Sequence, residues 1–153
     1  MKLAHLFLVV LFTTLPLGAQ QPAAAASEIP TGIKSLDITI ETIASGGFWQ
    51  KGDVDGSYRV VILLEGWEHL SNKVYLQWVR LDQDNQTMVV DKTVHLAELD
   101  SHAGIRWRIS APKFVLSGKQ SSLVFPAESE SGKKTFTVVP DASHGYKVTE
   151  AKK

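Results

Sequence analysis

The stretch KVYLQWVRL, residues 73–81, alternates its side chains with period two. Val74, Leu76 and Trp78 fall on one face, and Tyr75, Gln77 and Val79 on the other. That is the pattern of a β-strand packed on a core. Just upstream, SYRVVILLE at 57–65 is rich in β-branched and apolar residues and reads as a central strand with both faces covered. Further back, Leu36, Ile38 and Ile40 alternate with Asp37, Thr39 and Glu41, predicting another strand. Residues 44–56, with Gly46-Gly47 and Asp55-Gly56, read as a loop.

Downstream, DQDNQ at 82–86 has the length and polarity of a turn between antiparallel neighbours. Residues 87–96 are rich in Val and Thr, and 97–104 have room for one helical turn. IRWRIS at 105–110 alternates sharply, with Ile105, Trp107 and Ile109 on one face; Pro112 then forces an edge or a bend. Short strands are expected near 114–116, 122–125, 134–139 and 146–149, with turns at 117–118, 128–132 and 140–145.

Many short strands at roughly 8–12-residue spacing, without a sustained helical period, predict an all-β domain. The expected fold is a two-sheet antiparallel sandwich of immunoglobulin-like type, with Trp78 on an early central strand resembling the core tryptophan of that architecture. The disulfide that faces it there has no counterpart, because the chain has no cysteine. A small up-and-down β-barrel is the alternative.

The N-terminus carries an address. Lys2, an apolar run from Leu3 to Leu17 and small residues at Gly18, Ala19 and Ala23 to Ala26 have the layout of a secretory signal peptide. The run contains His5, Thr13, Thr14 and Pro16 and falls short of the about 20 residues of a spanning helix, so no membrane insertion is expected after cleavage. Cleavage before Gln20 or before Ser27 fits. The chain thus divides into a signal peptide at 1–26, a linker at 27–34, a β-sandwich domain at 35–150 and a tail at 151–153. A cysteine-free exported domain fits the periplasm or the exterior of a bacterium.

Sixteen basic and sixteen acidic residues balance, so no electrostatic footprint for nucleic acid is present. Asp53-Val54-Asp55-Gly56 is a weak calcium candidate, since two carboxylates before a glycine can supply oxygen ligands, but the spacing departs from the EF-hand loop. Asp82 and Asp84 repeat the pair. No other cofactor is implied. His69, His95, His102 and His144 lack metal-site spacing, and Asp141, Ser143 and His144 sit too close together to suggest a triad. Asn85-Gln86-Thr87 reads as a polar turn. Arg106 and Arg108 share a strand face that can meet Glu41 and Asp37.

Trp49 and Trp67 stand apart from the core pattern. Each lies in an expected loop, beside Gln50 and beside Glu68 and His69, and loop tryptophans are suited to binding. Trp49, Gln50, Trp67, Glu68 and His69 are therefore the candidate ligand-binding residues. The expected function is an exported, non-enzymatic β-sandwich binding another macromolecule, protein or glycan. A carbohydrate-binding module using the loop tryptophans is the alternative, and a hydrolase is third.

Overall fold

The computed structural model describes residues 36–66, 71–100 and 107–152. The signal peptide and linker expected at 1–26 and 27–34 lie outside these residues. Four strands form one antiparallel sheet in sequential order: β1 (Ile40–Lys51), β2 (Val54–Glu65), β3 (Ser71–Asp82) and β4 (Thr87–His95). A single 3-10 turn at Ala97–Leu99 follows. The second sheet holds β5 (Arg108–Ile109), β6 (Lys113–Ser117), β7 (Gln120–Ser129), β8 (Gly132–Pro140) and β9 (Tyr146–Lys152). β5 and β6 both pair with β7 and form one edge strand with an extra residue around Pro112, the bulge that a residue without an N–H promotes.

The two sheets pack face to face as a sandwich, and the strands do not close into one barrel. Each sheet is a plain meander, so the likeness to immunoglobulin domains lies in the layers and the core tryptophan, not in Greek-key strand order. Val74, Leu76 and Trp78 are fully buried, as their alternation predicts. Val60 and Ile62 of β2, Leu123 and Phe125 of β7 and Val138 of β8 complete the centre.

Three expectations need correction. The strand expected from Leu36 begins only at Ile40, because the Asp37 carboxylate accepts bonds from the Thr39 N–H and hydroxyl, both at 2.8 Å, and fixes a turn. Ile38 is left fully exposed. The loop expected at 44–56 is mostly strand. Its glycines form a β-bulge: Gly46 pairs with Tyr58 and Trp49 with Gly56, so two residues of β1 oppose one of β2, and Gly47 takes a left-handed φ of 66°. Finally, the tail expected at 151–153 starts inside β9, where Ala151 pairs with Thr135.

Buried polar groups join the sheets. Ser121 of β7 is 2% exposed, and its hydroxyl donates to the Phe48 carbonyl at 2.9 Å and accepts the Phe48 N–H at 2.8 Å. It thereby satisfies both backbone groups that the bulge takes out of the ladder. At the other end of the sandwich, Asn72 accepts the Ile109 N–H at 2.8 Å and donates to Glu41 at 2.7 Å. Each bond nets about 1 kcal/mol, but leaving the partners unsatisfied costs more.

Candidate functional site

The β1–β2 and β3–β4 turns of the first sheet and the β6–β7 and β8–β9 turns of the second gather at one end of the sandwich. This hairpin end holds two clefts. The smaller, about 340 Å³, is lined by Phe48, Trp49, Gln50, Tyr58, Lys119, Gln120 and Asp141 among others. The larger, about 600 Å³, lies between the β1–β2 and β3–β4 turns and includes Asp53, Asp55, Asp82, Asp84, Val54, Leu81 and Met88.

The structure redistributes the candidate ligand residues. Trp49 is in a strand and only 3% exposed, so its ring does not offer the open stacking face expected of a loop tryptophan. It is buried because the glycine bulge turns it onto Gly56, and its indole N–H donates to the Ser57 carbonyl at 3.1 Å. The exposed aromatic here is its neighbour Phe48, at 39%. Gln50 is exposed, with its amide donating to the Gly52 carbonyl at 3.3 Å. Trp67, Glu68 and His69 lie outside the described residues. From Gly56, beside Trp49, β2 runs about 30 Å to Glu65, so Trp49 and Glu65 are at opposite ends of the sheet.

The carboxylate pairs do come together, since all four line the larger cleft. Asp82 is committed to its turn, accepting the Asp84 N–H at 3.1 Å and the Asn85 amide at 2.8 Å. The Asn85 bond is the main cause holding its carboxyl below the usual range. Among the described residues no three His, Cys, Asp or Glu side chains converge as metal ligands would. Asn85 and Gln86 sit in the turn that their composition predicts, Gln86 with a φ of 53°.

His144 occupies the seam between the sheets, with a left-handed φ of 71°. Its ring stands edge-on to Trp78 at 5.5 Å and to Trp49 at 6.4 Å, and Nε2 lies 3.2 Å from the Asp91 carboxylate. Asp141 is turned elsewhere: Oδ1 accepts the Ser143 and Gly145 N–H groups at 2.7 and 3.1 Å. Asp141, Ser143 and His144 therefore shape a turn and make no relay. His95 bonds Asp100 at 3.0 Å and stacks on Tyr75 at 5.1 Å, while Asp100 also pairs with Lys73 at 2.7 Å. Of the two strand arginines, Arg108 meets Glu41 at 4.0 Å and Arg106 lies outside the described residues.

Asp91 carries a pH consequence. Its bond from Arg80, followed by that with His144, holds its carboxyl below the ordinary aspartate range. A lowered folded pKa means that the ionised group stabilises the fold above the unfolded value of about 3.9, and this contribution is lost as pH falls through the folded value. In thermal melts between about pH 5 and pH 2.5, Asp91→Asn is expected to flatten the acid side of the stability profile. An unchanged acid slope would contradict the assignment.

Two residues that shape this end were missed by the sequence pattern. Tyr58 reads as one more core-facing residue in phase with Val60 and Ile62. Its ring is edge-on to Trp78 at 5.8 Å and it is 2% exposed. Burial first, and then the Asp141 carboxylate, push its hydroxyl up to about 12, so it stays a neutral donor at physiological pH. Phe48 falls with its neighbours in the stretch whose glycines predict a loop. A signal existed for both: a tyrosine on a core face at a strand end must place its hydroxyl somewhere, and a Gly-Gly step inside alternation marks a bulge.

No protein-family model matches the chain, and neither a curated protein nor a solved structure matches it.

Proposed function

We propose that this chain is a non-enzymatic β-sandwich domain, exported to the periplasm or exterior of a bacterial cell, that binds another macromolecule with its hairpin end. The signal-peptide layout of residues 1–26 supports export. One observation carries the binding surface: Phe48, Val54, Leu81 and Met88, at 39, 46, 46 and 62% exposure, all lie at this end. Leu81 and Met88 are direct cross-strand partners, and Met88 stands on β4, an edge strand of its sheet among the described residues. Large apolar side chains clustered at the surface mark interaction sites, and a sheet-edge strand adds backbone groups that can pair with a partner.

The test is capture of cross-linked partners by the full chain in its native cells, compared with the double variant Leu81→Glu, Met88→Glu. Both positions are exposed, so the variant should fold with a cost within about 0.5 kcal/mol per site. The expected result is a partner recovered by the wild type and lost by the variant. Equal recovery by both would place binding elsewhere.

A further inference from the structure

The smaller cleft contains a polar group without a hydrogen-bond partner among the described residues. Tyr58 is 98% buried by its 2% exposure, yet its hydroxyl has no hydrogen-bond partner among the described residues. No buried side-chain oxygen or nitrogen among those residues lacks a partner, so this hydroxyl reaches the cleft surface that Tyr58 lines. Packing alone would be served as well by phenylalanine, because the ring makes the edge-on contact with Trp78.

The remaining wall defines the chemistry of a ligand. Phe48 supplies a partly exposed apolar ring. Lys119 and Gln120 have no side-chain partner among the described residues, and Gln50 uses its amide but leaves its carbonyl oxygen open. Asp141 commits Oδ1 to two backbone N–H groups and keeps Oδ2. One cation and one anion line the cleft, so it selects for no net charge. Its about 340 Å³ lies at the lower end of ligand-pocket sizes.

We propose that this cleft binds one neutral sugar ring, the terminal residue of a glycan, with Tyr58 donating to a ring hydroxyl and Phe48 packing on the apolar C–H face. A pyranose matches both surfaces: one face is carbon-bound hydrogen, and the rim is hydroxyls that both donate and accept. Gln50, Gln120 and Asp141 would complete those bonds. The inference rests on the macromolecule-binding reading and names its ligand.

The test titrates the full chain with glucose, galactose, mannose and N-acetylglucosamine, and with glucuronate as the charged control, following backbone amide shifts at 48–50, 58 and 117–121. At least one neutral sugar is expected to saturate these shifts at millimolar concentration, and glucuronate to bind more weakly. Tyr58→Phe should weaken binding about tenfold with its thermal midpoint no lower than wild type, and Phe48→Ala should also weaken it. No saturable shift with any neutral sugar, or equal binding by Tyr58→Phe, overturns the inference. The capture experiment depends on Leu81 and Met88 instead: a partner lost in that variant with no saturable sugar shift in the wild type overturns this inference alone, whereas saturable sugar binding with equal partner recovery overturns the Leu81–Met88 surface alone.

Discussion

Trp78→Ala is expected to destabilise the fold by about 4 kcal/mol, within the range measured for removing a buried tryptophan. The indole is completely buried on β3 and joins three parts of the molecule. Its N–H donates to the Asp141 carbonyl at 2.8 Å, tying the first sheet to the β8–β9 turn of the second. Tyr58 and His144 stand edge-on to its ring at 5.8 and 5.5 Å. Alanine leaves a cavity between the sheets and an unsatisfied carbonyl. In denaturant unfolding the midpoint should fall with the slope unchanged. Trp78→Phe keeps most of the packing and loses the bond, so it should cost about half as much. A loss under about 1 kcal/mol for alanine would mean that this end of the sandwich is not packed around Trp78.

The second large effect comes from one hydrogen atom. Gly56 lies on the core face of β2, opposite Trp49 on β1 and Arg80 on β3. A Cβ at this position would strike the Val79 carbonyl oxygen and sit 2.9 Å from Trp49 Cε2 and Cζ2. Neither obstacle yields easily, since one is the neighbouring backbone and the other a buried ring. Gly56→Ala is expected to cost about 3 kcal/mol, at the upper end of overpacking penalties, and to expose Trp49. The control is Gly52→Ala in the adjacent turn. Gly52 has a φ of 61° with open space around it, so alanine there should cost only about 1 kcal/mol in backbone strain. Matching midpoints for the two variants would contradict the close packing of Trp49 over Gly56. A red-shifted tryptophan emission in Gly56→Ala alone would support it.

The parts of the fold that were legible in the sequence are those that depend on local period. Val74, Leu76 and Trp78 announce a core face by alternation alone, as do Ile109 and the β-branched run of β2. The DQDNQ turn is legible because its chemistry lies within five residues. The misread parts depend on contacts between distant residues. Gly46 and Gly47 look like a loop until Ser121, on the other sheet, is seen holding the Phe48 backbone across 73 residues. Trp49 then becomes core instead of a ligand platform. His144 and Asp91 likewise meet only because the β8–β9 turn lies over the edge of β4. The candidate site was legible as a region and not as residues. Gln50 and the two Asp-x-Asp pairs lie at the hairpin end, whereas the groups that give the smaller cleft its chemistry, Tyr58 and Phe48, were absorbed into the strand and loop patterns.

In the proposed function, the hairpin end is the working surface of this domain. The most direct test places a photo-reactive amino acid at Met88 and, separately, at Glu130 in the β7–β8 turn at the opposite end, and irradiates cells carrying the full chain. Adducts from position 88 and none from position 130 are the predicted result. Adducts from position 130 alone would contradict it.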